Sequence, residues 1–530
     1  ATGFADDGPL GQDDLDRAAE IHFDANSLRD FERVVSLCDS ALEKGLDEPG
    51  TLFANELVGS TLFRRATAIF GGMRRGGIGT DELLRLRELA LADLDKAVKH
   101  KPNLAGGFLL MCELSSLPGG DRKRGHDAAA SAAKVLEKDG VDKKRLSLAY
   151  LWRAKFGDDL EKQLADFRLA SELEPNNPVI LKQHAEFLHE KEQFADAVKT
   201  IRKLIEAAPD ESGLKLALVE SLSKMGDDGV AEAFAELDKI LESDPKLTAA
   251  YRMRAQLHIQ QDDQEKAIAD LSKAIQIDRS DIGSRLFRAE IYLFTNELDK
   301  AREDVTRALS RNPGLIYGIQ LRSRISAAEG DIEEAMNDIR LLIENDGDNP
   351  EHRLQLAAYL NADKRPRAAI KEIGKVLEAD AGNWRALRAR ADAYLSVGKH
   401  AEAVADYERA LKIRPDDSGI LNNFAWVLAT SMDDAVRDGE RAIKMATKAC
   451  ELTKFEAAHI LSTLASGYAE TGDFETAIKW STKSVELGEG EMAEQLKGEL
   501  KSYQEKKPWR ENQVIEEKEV AGEKKNLIDT

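Results

Sequence analysis

The sequence predicts an all-α protein, a solenoid of about thirteen stacked helical hairpins, and three observations carry that prediction. A small residue recurs every 34 residues without a gap. Apolar residues around it recur at helical spacing. Aromatics make up only 6% of the chain and prolines number 13, so the core must be built mainly from Ala, Leu, Ile and Val.

The recurrence is plainest in the second half. Ala233, Ala267, Ala301, Ala335, Ala369 and Ala403 stand 34 residues apart. Four residues after each comes a core residue: Leu237, Leu271, Val305, Ile339, Ile373 and Tyr407. Three further on lie Ile240, Ala274, Ala308, Leu342, Val376 and Ala410. The first half of each unit agrees, with Ala255, Ala289, Ala357 and Ala391 at one position and Ser221 and Ser323 replacing Ala there. Small residues let two helices of a hairpin approach closely, and a bulky replacement would overpack the crossing at about 1–3 kcal/mol. GKHAEAVADYERALKIRPDD (398–417) reads as the turn, second helix and stop of one unit.

These residues resemble the tetratricopeptide repeat family, whose period is 34 residues. Its A-x3-F element appears as Ala403-x3-Tyr407, its helix-ending proline as Pro415, Pro313 and Pro245, and its first-helix aromatic as Tyr394 and Tyr292. The family's early Trp is absent from its usual place, since Trp384 opens its unit instead. The resemblance implies a right-handed superhelical solenoid of bacterial multi-repeat type.

Six contiguous units are expected at 214–247, 248–281, 282–315, 316–349, 350–383 and 384–417. Upstream, 178–211 fits, followed by Ser212-Gly213 as an insertion, and 144–177 fits with Gln163 where Ala is expected. Downstream, 458–491 fits, and 418–457 fits with extra residues around TSMDDAVRDGE. The domain plan is therefore an N-terminal extension (1–12), divergent hairpins with long basic loops (13–143), the array (144–491), a capping helix (492–507) and a charged flexible tail (508–530). The last hairpins and cap are similar to a terminal module of bacterial multi-repeat proteins.

Acidic residues number 97 against 76 basic, a net charge of −21. Such a surface repels phosphate backbones and anionic membranes over long range, so no nucleic-acid partner is expected. No apolar run approaches the roughly 18 residues of a membrane span. Cys38, Cys112 and Cys450 are far apart and form no CxxC; Cys38 and Cys450 sit on apolar helix faces, as buried free thiols do. The opening ATGFADDGPLGQDD has the small, polar look of a segment following a removed export signal, which favours an extracytoplasmic location over a cytoplasmic one; an engineered truncation would look the same.

Catalytic and cofactor signatures are missing. His184 and His189 are five apart and do not share a helix face, unlike the histidines of HExxH. His258, His352, His400 and His459 have no companion at ligand spacing and read as solvated helix residues. GGMRRGGIG (71–79) lacks GxGxxG and follows a helix rather than a strand, while NDGDNPE (345–351) reads as a junction turn. No cofactor, metal or catalytic residue is expected.

Two loops stand out, FGGMRRGGIGTDE (70–82) and LPGGDRKRGHDA (117–128). Both read as links between the first and second helices of consecutive hairpins, which would bring them together on one edge. Arg74, Arg75, Arg122, Lys123, Arg124 and His126 would then form a basic island; the alternative is two solvated loops.

The resemblance also implies a concave groove lined by first helices and holding an extended peptide or helix. The family's groove positions fall here on Trp152, Lys182, Arg252, Gln256, Leu286, Glu290, Phe294, Gln320, Arg324, Arg388, Asp392, Asn422 and Trp426. Arginines among them would hold an acidic group, with apolar side chains lying on Leu286 and Phe294. The family's Lys/Asn clamp for a terminal carboxylate is not reproduced. The expected function is a non-enzymatic scaffold or adaptor binding a protein or peptide. A structural subunit of an assembly, with self-association, is the alternative, and an enzyme with an unrecognised site stands last.

Overall fold

The computed structural model describes residues 10–75, 77–140, 142–209, 211–346, 349–490 and 492–518. Most of the expected N-terminal extension, Gly76 of the first basic loop, Gly347 and Asp348 of the junction turn, and the tail from residue 519 lie outside them. The described residues form 27 α-helices and no strand.

The chain divides into two compact units, Ala1–Leu257 and His258–Thr530. The first holds α1 (Gln12–Asp24), α2 (Leu28–Lys44), α3 (Glu48–Arg74), α4 (Thr80–His100), α5 (Ala105–Ser115), α6 (Arg122–Asp139), α7 (Lys143–Phe156), α8 (Leu160–Leu173), α9 (Pro178–Glu190), α10 (Phe194–Ala207), α11 (Ser212–Leu222) and α12 (Gly226–Ser243). The division falls within α13 (Thr248–Gln260). The second unit continues with α14 (Gln264–Ile277), α15 (Ile282–Phe294), α16 (Leu298–Arg311), α17 (Ile316–Ala328), α18 (Ile332–Asn345), α19 (Pro350–Ala362), α20 (Pro366–Ala379) and α21 (Trp384–Leu395). It ends with α22 (His400–Ile413), α23 (Ser418–Thr430), α24 (Gly439–Leu452), α25 (Ala458–Glu470), α26 (Phe474–Leu487) and α27 (Met492–Gln504).

Consecutive helices pack as antiparallel hairpins, α15 on α16, α17 on α18, α21 on α22 and α25 on α26 among them. The recurrent alanines explain why. Ala267, Ala301, Ala335, Ala369 and Ala403 are all 0% exposed. Ala289 and Ala391, from the first helices, are equally buried, and Ser323 replaces Ala with its hydroxyl bonded to Ala335 O at 2.9 Å. In the second unit one apolar core runs without interruption from Leu286 to Leu464. The first unit is filled by smaller clusters, one across α1–α4, one around Leu94 and Cys112, and one around Tyr150 and Phe167.

Local chemistry sets the hairpin turns in the same register. Asp262, Asn296, Gly330, Lys364, Gly398 and Gly472 all have left-handed φ between 59° and 89° and stand at one position of their hairpins. Gly398 adopts φ 74° without the Cβ clash another residue would meet, and Asp and Asn tolerate this region better than bulkier residues. At the other end, Asp281, Asn349, Asn383 and Asp417 cap the first helices through backbone N–H groups two or three residues on. The extra residues of 418–457 form the 431–438 turn between α23 and α24. Ser212 and Gly213, expected as an insertion, instead begin α11.

A second recurrence was not anticipated. Asp304, Asp338, Glu372 and Asp406 stand 34 residues apart on second helices and each receives an arginine from the first. Arg288 donates to Asp304 at 2.7 and 2.9 Å, Arg322 to Asp338 at 2.9 and 2.6 Å, and Arg390 to Asp406 at 2.6 and 2.9 Å. Arg285 adds a third contact to Asp304 at 3.3 Å. Hydrogen bonding to the carboxylates lifts the Arg322 and Arg390 guanidiniums above their ordinary pKa. Removing one partner strands the other charge in a buried site. Asp304→Ala is therefore expected to lower the opening free energy of α15–α16 by about 3–5 kcal/mol, read by native-state hydrogen exchange.

Candidate functional site

The second unit holds a cavity of about 400 Å³ walled by α21, α23, α25 and α27 and roofed by Glu511 and Gln513. Three expected groove residues, Asp392, Asn422 and Trp426, line it. Its other polar walls include Asn423, His459, Ser462, Gln495 and Glu499.

The carboxylates here are held by neutral donors. Asp392 accepts from the Tyr407 hydroxyl and from Asn423 Nδ2 at 3.3 Å. Burial pushes its carboxyl pKa up, against the pull of the Tyr407 bond and the nearby Arg388 charge. Glu499, fully buried on α27, accepts from Ser462 Oγ at 2.5 Å and Gln495 Nε2 at 3.0 Å. Its carboxyl is likewise raised by burial. The Trp426 indole N–H donates to Glu511.

The roof belongs to a longer segment. Past α27, Trp509 packs beside Tyr503 and Phe474, and the chain then runs without helix or strand over residues 510–518. The backbone N–H groups of Glu511, Ile515 and Lys518 donate to Thr430 O at 3.1 Å, Ser396 O at 3.1 Å and Lys364 O at 3.0 Å. Thr430 ends the first helix α23, Ser396 caps the first helix α21, and Lys364 lies two residues past the end of the first helix α19. The composition beyond Pro508 predicts a flexible tail; as far as residue 518 the described chain is tied to the array.

Among the remaining groove candidates of this unit, Glu290 and Arg324 pair with each other. Glu290 accepts from the Tyr317 hydroxyl at 2.6 Å and meets Arg324 at 3.3 Å. Gln320 contacts His352 Nε2 at 3.1 Å. Phe294 is 78% exposed. Leu286 corrects the expectation, for it is buried in the core and offers no surface to a peptide. Leu286 precedes Ala289 by three residues, so both share the core face of α15, whereas Glu290 and Phe294 look outward. His352 and His400 are also corrected from solvated to buried, His400 meeting Ser431 Oγ at 3.1 Å.

In the first unit, Trp152 stacks on Phe156 with centroids 5.6 Å apart under the Lys155 ammonium. Lys182 and Gln256 are exposed, and Arg252 is half-buried. The basic loops are placed as follows. Helix α3 continues through Arg74, whose guanidinium lies over Phe70, and Arg75 bonds Gly71 O. Arg122, Lys123, Arg124 and His126 all lie in the first turns of α6. Arg122 donates to Lys155 O and Gly157 O, and Arg124 to Leu91 O and Asp95. Lys123 pairs with Asp127, which His126 approaches at 3.9 Å. Two of these cations thus tie α6 to its neighbours.

Sequence reasoning missed Glu499, Ser462 and the tail contacts. Glu499 had a signal, since it shares a helix face with Leu496 and Tyr503, both buried. Burial pushes the thiols of Cys38 and Cys112 up to about 12 and that of Cys450 up to about 11, so all three stay protonated at neutral pH. No group of three or more ligating side chains suited to a metal occurs among the described residues, and no helix of theirs is long and apolar enough to cross a membrane.

Two family models described as tetratricopeptide repeat match the chain, one at residues 384–417 and one at 248–281. Those two stretches are therefore tetratricopeptide repeats. Its fold is similar to a tetratricopeptide repeat protein from Parabacteroides merdae ATCC 43184, at 16% identity over 46% of this chain and 95% of that one, with TM-score 0.36. It is also similar to the APC/C hetero-tetramer Cut9-Hcn1, at 12% identity over 86% and 96% of the two chains, with TM-score 0.37. A third likeness is to yeast Tom70, at 14% identity over 93% and 95%, with TM-score 0.31. No curated protein matches.

Glu499 makes the cap pH-sensitive in a definite direction. Because its folded pKa is raised, the fold favours the protonated acid. That favour is complete below about pH 4.5, the ordinary glutamate value, and is lost as pH rises through the folded pKa. Glu499→Gln should therefore unfold at a higher temperature than the parent at pH 7, with the gap closing toward pH 4, followed by circular dichroism.

Proposed function

We propose that the chain is a non-enzymatic scaffold that holds a partner protein against the first-helix face of its second unit. The observation that carries this reading is the open surface of α15 and α17. Phe294 is 78% exposed, Ile316 51% and Tyr317 40%, beside the exposed Arg324 guanidinium. Tyr317 and Arg324 both meet Glu290, one helical turn before Phe294, so apolar and charged groups alternate along this face. An extended peptide or helix would set an apolar side chain on Phe294 and an acidic one on Arg324, the latter displacing Glu290 from an exposed pair of little net strength. The repeat class is generally a protein-interaction fold without chemistry of its own, in keeping with thiols held protonated. The strongly acidic balance speaks against nucleic acid.

A structural-subunit reading is favoured by Leu10, Phe23, Leu28, Leu52 and Phe53, all substantially exposed on the first hairpins. That surface would suit self-association. The end of α3 and the start of α6 would serve as a secondary anion-binding edge through Arg74, Arg75 and Lys123, all exposed.

The scaffold reading is tested by affinity capture from the native source. Phe294→Ala combined with Arg324→Glu should lower recovery of the specific partner at least tenfold while leaving the thermal unfolding profile in place. Full recovery by the double variant would overturn it.

A further inference from the structure

We propose that the C-terminal ends of α19, α21 and α23 form a linear docking track for an extended acidic segment of a partner protein, and that the chain's own residues 511–518 occupy it in cis. The proposal rests on the scaffold reading and adds to it a second surface, the rim of the same unit.

The geometry of the strap carries the argument. The three main-chain bonds use donors spaced four and then three residues apart, Glu511, Ile515 and Lys518. Extended chain rises about 3.3 Å per residue, so these steps span roughly 10–13 Å. Packed helices lie roughly 8–10 Å apart, so each step carries the segment from one hairpin to the next. Thr430 O and Ser396 O stand at equivalent helix ends, 34 residues apart, where carbonyls lack an intrahelical partner. Lys364 O lies two residues past the end of α19, in the turn toward α20. A bound chain uses main-chain donors for all three, whatever its side chains.

Side chains then select a strand with acids at fixed positions. Glu511 receives the Trp426 indole N–H, and Glu517 pairs with Arg367. Six residues separate these carboxylates. At the far end Lys518 meets Asp363 at 2.6 Å, and at the near end Arg510 meets Glu470 at 2.6 Å. Between them Val514 lies over the turn at Gly398, where an added Cβ would come within 3.2 Å of its methyl. The pattern sought in a partner is thus an extended strand with two acids six apart and a β-branched residue between them.

The strap has no secondary structure of its own, and its contacts are main-chain bonds and partly exposed ion pairs. Tethering gives it an effective concentration on the order of millimolar, so a partner strand must outcompete it. Exchange of one strand for the other is a replacement of equivalent bonds.

The test uses the full chain and a fluorescent peptide, PWRENQVIEEK, corresponding to residues 508–518. A release variant, Glu511→Lys, Ile515→Pro and Glu517→Lys, removes both carboxylates and one donor without touching the array. Anisotropy titration should show the peptide binding the release variant at least tenfold tighter than the parent, with a scrambled peptide inert. Adding Arg367→Glu and Trp426→Phe should abolish that binding. Equal affinity for parent and release variant, or binding that survives the track substitutions, would overturn the proposal. A parent that dimerises at micromolar concentration through the same residues would overturn it in favour of a second copy as occupant. The scaffold reading is judged separately: partner recovery that still depends on Phe294 and Arg324 leaves it standing when the peptide fails to bind.

Discussion

Everything in this protein depends on how closely two helices of a hairpin can cross. At Ala301 and Ala403, as at the equivalent positions of neighbouring hairpins, the side chain is a methyl group with no exposed surface. That closeness fixes the position of the turn, which then falls on Gly330, Gly398 or Gly472 or on a residue held at positive φ. Hairpins so alike stack with a constant step, and a constant step creates regularly spaced helix ends. The surfaces available for recognition are consequences of this packing.

Charge is distributed to suit that plan. Inside the hairpins, Arg288, Arg322 and Arg390 are spent on carboxylates of the following helix, where they lock one helix against the other. Removing a partner there would cost far more than an exposed pair is worth. On the first-helix face the pairs are looser: Glu290 with Arg324 is more than two-fifths exposed on both sides. A partner can compete for the second kind of pair and not for the first. In the cavity beneath the strap, Asp392 and Glu499 rely on hydroxyl and amide donors, which leaves their acidity reduced by burial.

The hairpin core was legible because its contacts repeat at fixed spacing: Ala403, Tyr407 and Ala410 could be aligned with their counterparts before any coordinate was known. The Arg–Asp recurrence has the same period but falls on charged residues, which apolar spacing does not register. Leu286 was misassigned for a different reason. The groove position carried over from the family pattern stands three residues before a core position, and at Leu286 an apolar side chain packs there into the core with Ala289. The strap left no trace in the sequence, since its bonds join residues 40 to 155 positions apart and follow no period of their own.

Hydrogen exchange at the amides of Glu511, Ile515 and Lys518 in the full-length chain tests the central claim most directly, that regular helix ends hold an extended strand. These three amides should exchange more slowly than that of Asn512, whose backbone N–H makes no bond to a helix end. Exchange of all four at the rate of an unstructured chain would contradict the account.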